Sequence, residues 1–286
     1  MTFPSTPLAV FALAGIAIEA VAASLLHFST AGLFAVAAAS ATLLVAVWLL
    51  ATARAEARQR RDMEERIERL GGLQVSLLSA ILRTLDLRDR MTARHSAAVA
   101  RYSRELAAAA GMPEEQQDLA HTAGLLHDIG KFILPDHILK GNTQLTEADW
   151  AEIRRHPHEG ARIVSQVDHY QPVGEVILAH HERIDGLGYP RGLAGDEIPE
   201  IARLIAVVDC YDAMTARDSY RRPIGSDEAI IELRRVSGSQ LDPRFVELFI
   251  GMLENRDLSY RHGQDADLET ALAISNHVRA RTAAPG

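Results

Sequence analysis

The sequence predicts an all-α protein in which a two-helix transmembrane hairpin and a helical linker precede a helical domain. Three observations predict it. Two apolar runs of about 20 residues stand at the amino end. Charged residues at helical spacing follow them. Beyond Gly72 the apolar periodicity is helical, with no convincing strand alternation.

The hairpin comes first, in residues 1–53. From Met1 to Ala53 the only formally charged side chain is Glu19. The runs at about 8–26 and 31–52 each match the thickness of a bilayer core. The amino end lacks the basic region of a cleaved signal peptide. Arg54, Arg58, Arg60 and Arg61 follow the second run directly. The positive-inside rule then puts that end in the cytoplasm, the link His27–Thr30 outside and the N-terminus back in the cytoplasm. The expectation is a multi-pass protein of the inner (cytoplasmic) membrane, in contact with its lipid. Glu19 inside a span reads either as a sensing or dimer-contact residue or as a neutral carboxyl at a helix interface.

The linker, residues 54–72, carries Glu56→Arg60, Asp62→Arg66 and Glu65→Arg69 at i, i+4, which supports a helix. Gly71-Gly72 is expected to interrupt it as a hinge. A solvated linker and a dimeric signalling helix are both open readings.

The domain, residues 73–258, reads as successive helices. Leu73–Leu87 is apolar-periodic, and His95, Val99, Tyr102 and Leu106 share one face. Gly111-Met112-Pro113 ends that helix and Glu114 starts the next. Thr146 is expected to cap a helix over Glu147–Arg155, with Asp149 completing a box-like arrangement. Pro157 closes it and opens another. Val173–His181 and Pro199–Thr215 are two more. Residues 259–286 read as a polar tail, disordered from Thr282.

A net charge of −8 argues against a general nucleic-acid binder, so no DNA partner is expected. The single cysteine, Cys210, excludes an intrachain disulfide and fits a reduced cytoplasmic domain.

Nine of the twelve histidines fall between His95 and His181. His180 and His181 offer imidazole nitrogens to one small volume, and Gly186 and Gly188 beyond them let backbone approach a ligand closely. His127-Asp128 ends the apolar run Ala120–Leu126. Asp209 ends Leu204-Ile205-Ala206-Val207-Val208, whose residues read as buried. A buried aspartate needs a strong partner, either a metal or an arginine; the available imidazoles favour the metal.

The residues Leu126-His127-Asp128-Ile129-Gly130-Lys131 and His180-His181 with Gly188-Tyr189-Pro190 resemble the two signatures of the HD-GYP phosphodiesterases, a branch of the HD hydrolases. The resemblance runs from about Leu82 to Phe249. It includes Arg88-Asp89, Thr92, His95, His156-Pro157, Gly160-Ala161, Ile198-Pro199, Val208-Asp209, Asp212-Ala213-Met214-Thr215 and Asp242-Pro243. It implies a helical HD-type hydrolase fold and a homodimer.

The metal ligands it implies are His95, His127, Asp128, His156, His180, His181 and Asp209, with Asp128 bridging two ions. Imidazoles and carboxylates without thiolate suit iron or manganese. Met91 stands where some family members place a glutamate for a third metal, so two divalent ions are expected. His127, Asp128 and Lys131 are the expected catalytic residues. Lys131 and Arg183 are expected to hold phosphate, with the neutral alternative that they only pair with nearby carboxylates such as Glu182 or Asp185. Asp185, Gly188, Tyr189 and Pro190 complete the substrate wall, and Asp212 is expected to position Lys131 or a water. His121, His137, His158 and His169 match no ligand position and are read as surface or supporting residues.

One departure stands in Arg217-Asp218-Ser219-Tyr220-Arg221, where Asp218 replaces an arginine of the family pattern and Arg217 or Arg221 would have to substitute. The implied reaction is metal-assisted hydrolysis of cyclic di-GMP to pGpG and further to GMP. A receptor or interaction module without turnover and a phosphodiesterase for another cyclic dinucleotide are the alternatives.

Overall fold

The computed structural model describes residues 30–88, 92–140, 144–216, 223–254, 256–264 and 266–282. The chain divides into two compact units, 1–69 and 70–286. Helix α1 spans Thr30–Asp86. Its stretch Thr30–Arg66 contains an 18-residue window of mean hydropathy 2.4 with no residue buried, which is long and apolar enough to cross a membrane. The first expected span, 8–26, and Glu19 lie outside the described residues. So do residues 283–286, most of the segment expected to be disordered. Gly71 and Gly72 are helical within α1, so the expected interruption is absent there. Two glycines lower helix propensity by about 1 kcal/mol each, too little to break so long a helix.

The second unit is all-α among the described residues, with only two isolated bridges, Asp185 with Ala194 and Ser237 with Leu241. Helix α2 (Thr92–Ala109) packs along α3 (Glu114–Leu126). A short 3₁₀ turn, Ile129–Ile133, leads to α4 (Asp136–Leu139), α5 (Glu147–Ile153), α6 (His156–Val164) and α7 (Gln171–Ala179). Then come α8 (Glu200–Thr215), α9 (Ser226–Val236), α10 (Pro243–Glu254), α11 (Leu258–Arg261) and α12 (Leu268–Thr282). The Thr146 cap is a full capping box, with Asp149 returning the bond.

Small residues set the closest helix contacts. A Cβ on Gly124 of α3 would lie 3.1 Å from the Ala100 Cα of α2, tighter than ordinary packing, so a side chain there would push the two helices apart by a few tenths of an ångström. The predicted face of α2 is the core: His95, Val99, Tyr102 and Leu106 are all buried. Tyr102, Tyr211 and Phe249 meet edge to face with centroids 5.2 to 6.3 Å apart, the arrangement their quadrupoles favour.

The stretch expected to be a polar tail is part of this core. Asp257 caps α11 by accepting from the Tyr260 amide, and Tyr260 is buried against α2. In α12, Ala271 and Leu272 are buried, and His121 donates to the Ala271 carbonyl at 3.0 Å. The reading failed because α12 is polar on balance and buries only a narrow stripe. Leu272→Ala is expected to lower the unfolding free energy by roughly 2–5 kcal/mol, measured by chemical denaturation. A free tail would give no change.

Candidate metal centre

Three of the histidines are mounted the same way. His127 follows the last residue of α3, His180 follows the last residue of α7, and His156 opens α6 just after α5. Each points Nδ1 at the carbonyl three residues earlier: Gly124 at 2.8 Å, Ile177 at 2.5 Å and Ile153 at 2.7 Å. Carbonyls in a last helical turn lack helical partners, so a ring N–H satisfies them. The bond fixes the tautomer with hydrogen on Nδ1 and leaves each Nε2 as a bare acceptor.

Those Nε2 atoms converge on Asp128. His127 Nε2 lies 3.3 Å from Asp128 Oδ2, and His156 Nε2 lies 3.4 Å from Oδ1. His156 and His180 face each other Nε2 to Nε2 at 3.4 Å. With both hydrogens on Nδ1, that pair is two lone pairs in opposition. Among the described residues, His127 Nε2 is buried with no hydrogen-bond partner. His181 stacks on His180 with centroids 4.0 Å apart.

Among the described residues, two groups with metal-ligand spacing result, Asp128–His156–His180–His181 and His95–His127–Asp128, and they share Asp128. Asp209 stands beside the second, 3.2 Å from His95 Nε2 and 3.8 Å from His127 Nε2. All seven expected ligands are therefore in one place. Orphaned and opposed nitrogens around ionised carboxylates fit divalent cations, and the nitrogen and oxygen donor set matches first-row transition metals.

The electrostatics follow from burial and neighbours. Burial lowers the pKa of His156 to about 3 and of His181 to about 4, against the pull of nearby carboxylates. Burial also holds His180 well below the usual range. Burial works to raise Asp128, but Lys131 and His127 outweigh it and keep it ionised. Asp209 is likewise held low, mainly by its bond to His95. His95 is the exception: burial opposes its charge, yet hydrogen bonds to Asp209 and Asp212 push it up to about 10. A proton and a metal ion at His95 Nε2 are alternative ways of satisfying the same carboxylates.

The other expected site residues divide. Lys131 reaches Asp128 Oδ2 at 2.6 Å from the 3₁₀ turn. Arg183 forms a two-point pair with Asp185, at 3.0 and 2.5 Å, as the neutral alternative allowed. Tyr189 lies over His181 with centroids 4.9 Å apart, and Pro190, after a cis bond, is exposed.

Gly188 answers to its own chain: a Cβ there would fall 2.5 Å from the Glu182 Cα. The expected close approach to a ligand is thus an approach of the loop to the backbone behind it. Gly186 takes φ +76°, which glycine adopts without strain.

Asp212 is corrected most. It is bonded to His95 Nδ1 at 2.7 Å and accepts two bonds from Arg94, at 3.1 and 2.8 Å. It orients His95, from the position expected to serve Lys131 or a water. Its spacing from Asp209 was legible, but the partner on α2 was not.

Two residues named in the sequence have structural roles that it did not show. Glu182 is buried and accepts from the amides of Arg191 and Leu193, at 2.7 and 3.0 Å, pinning the loop. It was expected, if anything, to pair with Lys131 or Arg183, and it bonds loop amides instead. Gly130 has no room for a side chain, since a Cβ would lie 1.9 Å from the His156 carbonyl oxygen. Of the excluded histidines, none joins the cluster. His121 is a core residue, His137 pairs with Asp149 at 2.8 Å, and His158 lies beside Glu159. Met91, Arg217, Asp218 and Arg221 lie outside the described residues.

Asp212→Asn is expected to weaken metal binding roughly 10- to 100-fold, as loss of a ligand's supporting carboxylate does; metal titration checks it. Metal-free protein is expected to be most stable near pH 6.5. Below that value the unfolded chain protonates histidines that stay neutral when folded, so His156 and His181 each remove up to about 1.4 kcal/mol per pH unit towards pH 4. Above it the stabilisation from protonated His95 is lost as pH rises towards its raised pKa. Denaturation midpoints across pH 4 to 10 read this.

The HD domain family model matches residues 79–245. A cyclic di-GMP phosphodiesterase of Pseudomonas aeruginosa is 40% identical over 176 residues, 61% of this chain and 42% of that protein. A cyclic di-GMP phosphodiesterase of Thermotoga maritima is 38% identical over 184 residues, 64% of this chain and 50% of that protein. A 3'3'-cGAMP-specific phosphodiesterase of Vibrio cholerae is 34% identical over 176 residues, 61% of this chain and 34% of that protein. The matched segment thus spans half or less of these curated relatives. The chain belongs to the HD domain family, as its resemblance to the HD-GYP proteins implied.

Proposed function

We propose that the chain is a metal-dependent cyclic dinucleotide phosphodiesterase that hydrolyses cyclic di-GMP to pGpG and on to GMP. The observation that carries this reading is the pair of ligand groups sharing Asp128. His95, His127, Asp128, His156, His180, His181 and Asp209 would hold two divalent ions, iron or manganese. Bound there, such ions would supply Lewis acidity toward phosphate oxygens and toward a water that attacks phosphorus.

The chain's own residues do the rest. The Nδ1 bonds keep the imidazoles aimed and unprotonated on the site side. Lys131 holds its ammonium against Asp128 Oδ2 at the edge of the cluster, where a phosphate would approach. Arg183, tied by Asp185, keeps its planar fork at a fixed place on the loop. Tyr189 shields His181 on the wall side.

The relatives include enzymes named for cyclic di-GMP and for 3'3'-cGAMP, so the second dinucleotide is the alternative substrate. The apolar part of α1 supports a membrane-tethered protein. The fuller reading is a multi-pass inner-membrane homodimer with this domain in the cytoplasm and no role for DNA.

The test is turnover of cyclic di-GMP and 3'3'-cGAMP by full-length protein, purified anaerobically, with metal content measured on the same sample. His127→Ala with Asp128→Ala is expected to abolish both metal loading and turnover. Full activity with metal still bound in that double variant would refute the assignment.

A further inference from the structure

The end of α1 is joined to both halves of the metal centre. Leu85 is fully buried with Leu134, Ile138 and Leu139 in a small apolar cluster of its own. Asp86 accepts from the Ala93 amide at 3.1 Å, at the start of the helix that carries His95. Arg88, just beyond α1, reaches the opposite side. Its guanidinium donates to the Phe132 carbonyl at 3.0 Å and the Leu134 carbonyl at 2.8 Å. It also meets Asp136 Oδ1 at 2.8 and 3.1 Å.

Phe132 and Leu134 bracket the end of the 3₁₀ turn that carries Lys131. The Leu134 amide bonds back to the Lys131 carbonyl, and the Lys131 amide to the Asp128 carbonyl, each at 2.9 Å. A planar fork that spans two carbonyls fixes both their separation and their direction, which a lysine ammonium does not. Ile129 and Gly130 are buried at the start of the turn, but Phe132 and Ile133 at its far end are exposed, so the carbonyl bonds from Arg88 fall on the end that packing holds least.

We infer that Arg88 is a positioning residue for Lys131. By holding the Phe132 and Leu134 carbonyls it sets the turn from which Lys131 meets the substrate phosphate. The same junction, through Asp86, sits at the start of the His95 helix, so a shift at the end of α1 reaches both sides of the site. This rests on the phosphodiesterase reading, in which Lys131 contacts substrate.

The experiment is a double-mutant cycle on the full-length, metal-loaded protein, with Arg88→Ala, Lys131→Ala and the pair. Arg88→Ala alone is expected to lower kcat/KM roughly 10- to 100-fold, the cost of a small misplacement at a reacting centre. In the Lys131→Ala background it is expected to change kcat/KM by no more than about twofold. Metal content is expected to stay at the wild-type value. Asp136→Asn, which spares the two carbonyl bonds, is expected to stay within about twofold of wild type.

The same cycle read as the dissociation constant for pGpG needs no turnover and applies if Lys131→Ala is inactive. An equal penalty in both backgrounds, loss of metal in Arg88→Ala, or no penalty at all would overturn the inference. Absence of turnover in the wild-type protein would instead overturn the functional reading, and the pGpG cycle would still decide the role of Arg88.

Discussion

The constraint on which this domain depends is keeping several bare imidazole nitrogens packed around two ionised carboxylates in a buried space. Left to itself, such a set would protonate or let in water. The chain solves the problem three times with one device, a histidine at a helix end whose Nδ1 is tied to a carbonyl of the last turn. The carbonyl needs a donor and the ring needs a fixed tautomer, so one bond satisfies both. His95 is the odd member. It sits within a helix, where carbonyls are already bonded, and must borrow Asp212 from α8 to hold its Nδ1.

Backbone-to-backbone contact brings these helix ends together. Gly130 lies against the His156 carbonyl and the Gly160 amide, so the turn after Asp128 and the start of α6 meet with nothing between them. That contact sets the 3.4 Å separation between Asp128 and His156. Gly188 does the same for the loop, and Glu182 beneath it bonds the amides that the loop leaves unpaired. The glycines that look from sequence like room for a ligand are mostly room for the protein itself.

The helices were legible because apolar spacing and caps are local. Thr146 with Asp149, the break at Pro113 and the face of His95, Val99, Tyr102 and Leu106 needed only their neighbours in sequence. The grouping of the histidines with Asp128 and Asp209 was legible through the ordered motifs. What was not legible depended on distant partners. Asp212 finds Arg94 and His95 more than a hundred residues away. The stripe of Ala271 and Leu272 has meaning only against the α2–α3 pair. Helical glycines at 71 and 72 show the reverse error, where a local signal was too weak to decide against a long helix.

The two ways of holding a ring imply an order of assembly. The bonds of His127, His156 and His180 close over three residues, so they form with the helix ends themselves, on the timescale of local structure. The His95–Asp212 bond closes over 117 residues and waits until α8 docks on α2. The tautomers of His127, His156 and His180 are thus fixed by their own helix ends, whereas that of His95 depends on the docking of α8. A change that loosens α8 from α2 would therefore release one ring of the cluster and leave the other three aimed.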